Sequence, residues 1–331
     1  MDKLIVEGGA RLAGTVRTAG SKNAMLPVMA ASILTDEELV VPNAPRLSDV
    51  RTMIEVLRDL GAEGGQDANG TVRLRFPAEP GHRAGWENVR KMRGSVCVLG
   101  PLLARTGRAE VSLPGGCVFG VRPIDLHLKG LEALGAKVRI EHGFVIAESP
   151  PGGLVGGQMF LGSASGSSVL GTANVMSAAC LARGRTIIHG AACEPEVVDL
   201  GRCLISMGAK IEGLGSPRLV IEGVTQLSGA THEIIPDRIE AGTYVIAGAL
   251  TGGQVRVERC RPDHLSVLQD RLWEARIPFE VGDDFIETLP YDYADAAQRP
   301  RPTDVTTHPY PGFPTDLQAQ WMALMTQAVG I

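Results

Sequence analysis

The chain has 331 residues, 44% apolar and 21% charged, with a formal net charge of −5. That length predicts two domains, and the balance of apolar and charged residues is that of a globular protein, not a disordered one. No block of Lys and Arg suits nucleic acid, the start Met-Asp-Lys-Leu-Ile-Val-Glu lacks the apolar stretch of a signal peptide, and no apolar run approaches a membrane span, which predicts a cytoplasmic protein.

In chain order, two kinds of helix alternate. One kind is rich in Ala, Gly and Met, predicting deep burial, at 23–34, 95–104, 168–182, 242–250 and 317–328. Four of these lead through a polar turn into a strand, at 38–41, 109–113, 186–189 and 254–257. The other kind carries apolar residues at i, i+3, i+4 and i+7, the mark of one buried stripe. It ends in a Gly-Ala turn at Gly61-Ala62, Gly135-Ala136 and Gly208-Ala209, with a degenerate copy at 265–275. Glycine there supplies a left-handed cap, and a strand follows, as at 137–140 and 210–212. The pattern predicts roughly four and a half α/β units packed into two similar lobes, the last unit ending in mid-element.

Four segments carry candidate chemistry. At 18–24, Ser21 is an N-cap and Lys22 sits beside the free N–H groups of a buried helix; a capped helix with a solvated lysine and an anion site both fit. From Leu113 to His127, three glycines and two prolines predict a loop, not an element. Its Cys117 precedes Arg122 and His127, so it reads either as a thiol activated by positive charge or as a small packed hydrophobe. Asp316 follows a proline-rich approach at a helix start, where a carboxylate serves as a cap or as a general base. The run Gly162-Ser163-Ala164-Ser165-Gly166-Ser167-Ser168-Val169 offers N–H and hydroxyl groups to phosphate without the order of a P-loop or dinucleotide fingerprint, and also fits a flexible polar connection. The cluster Asp237-Arg238-Ile239-Glu240 suits a helix cap with salt bridges or a substrate-facing group. The six cysteines (97, 117, 180, 193, 203, 260) show no CxxC pair or zinc spacing and read as free thiols, the five others than Cys117 as structural ones.

Five motifs in order give these segments a resemblance: Gly-Ser-Lys-Asn-Ala at 20–24, Pro-Gly-Gly-Cys at 114–117, Arg-Pro-Ile-Asp-Leu-His at 122–127, Pro-Asp-Arg-Ile-Glu at 236–240 and Phe-Pro-Thr-Asp-Leu-Gln-Ala-Gln at 313–320. Together they resemble the UDP-N-acetylglucosamine enolpyruvyl transferases over essentially the whole chain. The resemblance implies two lobes, each an inside-out α/β barrel of repeated units, with 22–235 in one and 1–21 plus 236–331 in the other, and substrates in a cleft that closes. It implies transfer of enolpyruvyl from phosphoenolpyruvate to the 3′-hydroxyl of UDP-N-acetylglucosamine by addition and elimination, releasing phosphate, with no metal or organic cofactor. Cys117 then matches the proton donor to the methylene carbon and the thiol alkylated by fosfomycin. Asp316 matches the base, Lys22 and Arg122 the groups that hold the donor, and Asn23 and Arg93 substrate contacts. Pro123, Ile124, Asp125, Leu126 and His127 match the nucleotide-sugar segment.

The resemblance weakens at 166–169, where Gly-Ser-Ser-Val replaces a basic residue followed by Val-Ser-Val-Gly; Ser168 and Val169 are the matches retained there. Family members continue past Ile331, which implies an incomplete second lobe, exposed apolar helix faces and little turnover by the 331-residue form. Two other readings fit less of the sequence. The shikimate-pathway enolpyruvyl transferases share the chemistry but lack the Pro-Gly-Gly-Cys loop, and a non-catalytic relative would only bind nucleotide sugar.

Overall fold

The computed structural model describes residues 3, 5–115, 124–164 and 166–331. Ten α-helices are described: α1 (Lys22–Ala31), α2 (Ser48–Asp59), α3 (Trp86–Val89), α4 (Leu99–Thr106), α5 (Asp125–Ala133), α6 (Val169–Ala179), α7 (Pro195–Ser206), α8 (Arg238–Leu250), α9 (Ser266–Glu274) and α10 (Gln318–Met325). The chain divides into two compact units. One holds residues 20–235; the other holds 1–19 and 236–331.

The larger unit contains three four-stranded sheets built to one plan. In each, the strand after a buried helix is central. It pairs in parallel with a short strand on one side and antiparallel with a hairpin partner on the other, and the strand after an amphipathic helix forms the far edge. Leu39–Val41, Val72–Arg75 and Glu63–Gln66 follow this order, with Ala230–Thr231 as the parallel strand. Arg108–Ser112, Phe144–Glu148 and Lys137–Glu141 repeat it beside Arg83–Ala84. Arg185–His189, Arg218–Glu222 and Lys210–Glu212 repeat it beside Gln158–Phe160. The smaller unit holds a fourth copy: Gln254–Glu258, Phe285–Thr288 and Phe279–Val281, with Ala13–Arg17 as the parallel strand. The repeat in the sequence is thus a repeat of topology. Among the described residues the sheets do not hydrogen-bond into one closed barrel.

Helices lie inside and sheets outside. In α6 every residue from Gly171 to Ala179 is buried, and the helix packs against α1, α4, α5 and α7. The strands alternate accordingly: Val72 and Leu74 are buried, Arg73 and Arg75 exposed. Burial of apolar area on both sides of the helix layer is the main stabilising term. In the smaller unit, Trp321 is buried edge-on against Phe313 at 5.7 Å and donates its indole N–H to Thr303 O at 3.2 Å, while Trp273 and Met322 are exposed.

Helix ends differ from the sequence expectation in a consistent way. The segments expected to begin as α-helix at 95 and 317 open as 3-10 turns, Arg93–Val98 and Thr315–Leu317. The first α-helical residue of each follows, at Leu99 and Gln318. Proline explains the first case: Pro101 has no N–H and its ring displaces the carbonyl four residues back. The Gly-Ala turns are as expected, with φ of 101° at Gly61, 88° at Gly135 and 105° at Gly208. In the degenerate copy Arg276 takes the same place at φ 60°.

These four positions isolate backbone strain from packing. Gly208 is exposed, with no atom within 4 Å of where a β-carbon would stand. Gly208→Ala should therefore destabilise its unit by about 1 kcal/mol through the left-handed conformation alone, and Arg276→Gly should stabilise the other unit by a similar amount. Urea unfolding checks both: the midpoint falls for the first and rises for the second, and an unchanged midpoint for Gly208→Ala contradicts the assignment of strain.

Candidate active site

Of the residues singled out in the sequence, Cys117, Arg122 and Pro123 lie outside the described residues, as does Ser165. Lys22, Asn23, Arg93, Ile124, Asp125, Leu126, His127, Ser168 and Val169 all belong to the larger unit, and Asp316 to the smaller.

Ser21 is the N-cap of α1, its Oγ accepting from Ala24 N at 3.3 Å. The next two residues, Lys22 and Asn23, are half-buried in the first turn. The Lys22 ammonium stands 3.6 Å from the Asp49 carboxylate, with both side chains substantially solvated. Such a solvated pair contributes little to stability.

The segment ending at His127 departs from the expected loop. Asp125 begins α5, and the amides of His127 and Leu128 both donate to Ile124 O, at 3.0 and 3.1 Å. The physical reason is helical spacing of the buried side chains: Ile124, His127 and Leu131 face inward, leaving Asp125 and Lys129 outside. Asp125, Leu126 and His127 are thus fixed on the first turn of a helix. The His127 ring is 3% exposed. Burial and the nearby Arg93 push its pKa down to about 4 against an opposing pull from Asp125, so it is neutral at physiological pH.

The serine-rich run also differs from the expected flexible connection. Gly162–Ser163 and Gly166–Ser167 form a two-residue-deep hairpin. Ser168 then caps α6, its Oγ accepting from Gly171 N at 3.0 Å. The amides of Val169 and Leu170 precede the first intrahelical donor, Thr172 N, which bonds Ser168 O at 2.8 Å. The start of α6 therefore presents positive N–H ends, the arrangement that accepts anions.

Asp316 does not cap its helix. It lies exposed inside the 3-10 turn after Pro314, and the backbone carbonyl, not the carboxylate, is engaged, accepting from Gln320 Nε2 at 2.9 Å. The α-helix starts one residue later than expected, at Gln318 with Leu317 at its N-cap, so a carboxylate at 316 lies one residue before that cap and inside the 3-10 turn. Asp237, by contrast, is a cap, accepting from the amides of Ile239 and Glu240 at 2.9 and 3.1 Å.

Asn174 was not singled out from sequence. It is 1% exposed in the middle of α6 and bonds both the Val96–Gly100 backbone and the His127 ring. A lone amide in an otherwise apolar helix is the signal that marks it. Among the described cysteines, burial pushes the thiols of Cys97, Cys180 and Cys203 up to about 12 and that of Cys260 to about 11, and Cys193 is also raised. None of these is poised as a thiolate. Among the described residues no three His, Cys, Asp or Glu side chains converge as a metal would require, and no helix is long and apolar enough to cross a membrane.

Comparison with known proteins bears on this geometry. The family model described as EPSP synthase (3-phosphoshikimate 1-carboxyvinyltransferase) matches residues 6–331. A UDP-N-acetylglucosamine 1-carboxyvinyltransferase of Anaeromyxobacter dehalogenans (strain 2CP-C) is 50% identical over 332 residues, covering 100% of this chain and 76% of that protein. Among solved structures, the enolpyruvyl transferase NikO from Streptomyces tendae matches with a TM-score of 0.82 at 24% identity, over 98% of this chain and 74% of that one. An EPSP synthase from Acinetobacter baumannii matches with a TM-score of 0.66 at 17% identity, over 86% of this chain and 66% of that one. The two structural matches speak to the fold. With the family model spanning nearly every residue and a relative at half identity along the full length, the chain belongs to the EPSP synthase family of enolpyruvyl transferases.

Proposed function

We propose that this chain transfers the enolpyruvyl group of phosphoenolpyruvate to the 3′-hydroxyl of UDP-N-acetylglucosamine, the first committed step of peptidoglycan synthesis. The observation that carries this is the 50% identity, sustained over the whole chain, to a relative named for that reaction. The start of α6, with Ser168, Val169 and the neutral His127 beside it, suits the diphosphate of a nucleotide sugar. Pro123, Ile124, Asp125 and Leu126, leading into and opening α5, supply the remaining nucleotide-sugar contacts, and Asn23 and Arg93 further substrate contacts.

In this reading Lys22 and Arg122 hold the phosphate and carboxylate of the donor and offset charge as it develops. The sugar hydroxyl oxygen attacks C2 of the enol while Asp316 accepts its proton. Cys117 delivers a proton to C3, giving a tetrahedral intermediate with a methyl group. Loss of a methyl proton with departure of inorganic phosphate restores the double bond, now in the enol ether. General acid or base help at a step is worth about 10²- to 10⁴-fold.

Release of inorganic phosphate tests the substrates. Phosphate should appear only when phosphoenolpyruvate and UDP-N-acetylglucosamine are both present. Release with shikimate 3-phosphate in place of the nucleotide sugar would instead favour the reaction after which the family model is named. Cys117→Ala should lower this rate at neutral pH by at least about 100-fold; a full rate in that variant rejects the proton-donor role.

Thiol labelling supplies an independent check. In the native protein at pH 7, iodoacetamide and fosfomycin should modify Cys117, whereas Cys97, Cys180 and Cys203 should react with iodoacetamide only after unfolding. Peptide mass spectrometry that finds Cys117 unmodified and a buried cysteine labelled would reverse the assignment.

A further inference from the structure

The amide of Asn174 sits where a 3-10 turn gives way to an α-helix. Between the 3-10 turn Arg93–Val98 and α4, the carbonyl of Val96 accepts from Leu99 N, three residues on, in the 3-10 manner, and Gly100 N is the next donor in the chain. Asn174 bridges them. Its Oδ1 accepts from Gly100 N at 2.7 Å, and its Nδ2 donates to Val96 O at 2.7 Å. Gly100 permits this approach: a β-carbon there would stand 2.2 Å from the Asn174 carbonyl oxygen.

These two bonds leave the amide one orientation. A backbone N–H can only donate and a backbone carbonyl can only accept, so rotating the amide by half a turn would set like against like at both ends. The second Nδ2 hydrogen then points at Nδ1 of His127, 2.8 Å away. That nitrogen must accept, so the proton of the neutral ring resides on Nε2. No hydrogen-bond partner meets Nε2 among the described residues. The neighbouring Cδ2 edge lies beside Gly171, where a β-carbon would come within 3.7 Å, in the capped first turn of α6. Among the described residues, the ring, 3% exposed, therefore holds an N–H with no protein partner, on the edge that lies beside Gly171 in the first turn of α6.

We infer that Asn174 is a positioning residue for nucleotide-sugar binding: it fixes His127 as the neutral Nε2–H tautomer, so that the ring donates one hydrogen bond to a phosphoryl oxygen seated at the start of α6. The phosphate contact rests on the proposed function; the tautomer does not. The groups that bias the ring's charge are Arg93, on the 3-10 turn before α4, which disfavours protonation, and Asp125, on α5, which favours it. Protonation at Nδ1 would also require Asn174 to surrender its bond. A charged imidazole next to a diphosphate would bind more strongly but would carry the pH dependence of a titrating group; the neutral donor is constant from below pH 5 upward.

Long-range ¹H–¹⁵N spectra of the protein, with His127 identified by the signal lost in His127→Gln, read the tautomer directly. The expected result is an unprotonated Nδ1 and a protonated Nε2, unchanged between pH 5.5 and 8. In Asn174→Asp the carboxylate accepts where the amide donated, so Nδ1 should acquire a proton. Calorimetric affinity for UDP-N-acetylglucosamine should then weaken about tenfold or more at pH 8, with the pH dependence of a titrating histidine. A protonated Nδ1 in the wild-type protein, or unaltered affinity and pH profile in Asn174→Asp, overturns the inference. Should that variant fail to fold, the wild-type spectrum alone decides it. Absence of nucleotide-sugar binding by the wild-type protein counts against the proposed function and the phosphate contact, and leaves the tautomer to the spectrum.

Discussion

A helix surrounded by other elements has no water with which to repair a break in its own hydrogen bonding. At the junction of the 3-10 turn with α4, the Asn174 amide accepts from Gly100 N and adds a second donor to Val96 O. Gly100 N–H left bare there would cost about 1–3 kcal/mol, a large share of the stability of an ordinary domain, whereas Val96 O keeps its bond from Leu99 N. The residue that repairs the backbone also orients the one histidine beside the start of α6. Structural integrity and site geometry therefore depend on one side chain, and neither can be altered alone.

The same constraint explains the repeated plan. A helix buried on all sides needs a neighbour on every face, and one amphipathic helix with one four-stranded sheet supplies only part of that cover. Three copies in the larger unit surround their buried helices, and a fourth copy of the sheet recurs in the smaller unit. Each copy places the start of a buried helix near a connection rich in small and polar residues. At Ser21 and Ser168 that start is capped by a serine side chain. Anion binding at two such starts needs no special device beyond helix ends and their caps.

Much of this was legible in the sequence because it is local. The amphipathic helices announced themselves by spacing, and Gly61, Gly135 and Gly208 marked their ends because a left-handed residue without strain is nearly always glycine. What depended on distant partners was not legible. The short parallel strands come from elsewhere in the chain, as when Ala230–Thr231 pairs with Leu39–Val40, and carry no pattern of their own. The 3-10 openings before α4 and α10 were hidden because proline shifts a helix start without changing the apolar pattern. His127 read as part of a loop because glycine and proline upstream outweighed the single turn of helical spacing that follows. A lone amide in α6 marks Asn174 as unusual, but its role is hidden because its backbone partners lie 74 and 78 residues back in sequence.

The account stands or falls on where the nucleotide sugar sits. A crystal structure of the protein with UDP-N-acetylglucosamine bound tests it most directly. The expected result is a phosphoryl oxygen within about 3 Å of His127 Nε2 and of the Val169 or Leu170 amide, with Asn174 still bonded to His127 Nδ1. A diphosphate seated away from the first turn of α6, or an imidazole rotated off the Asn174 amide, would contradict it.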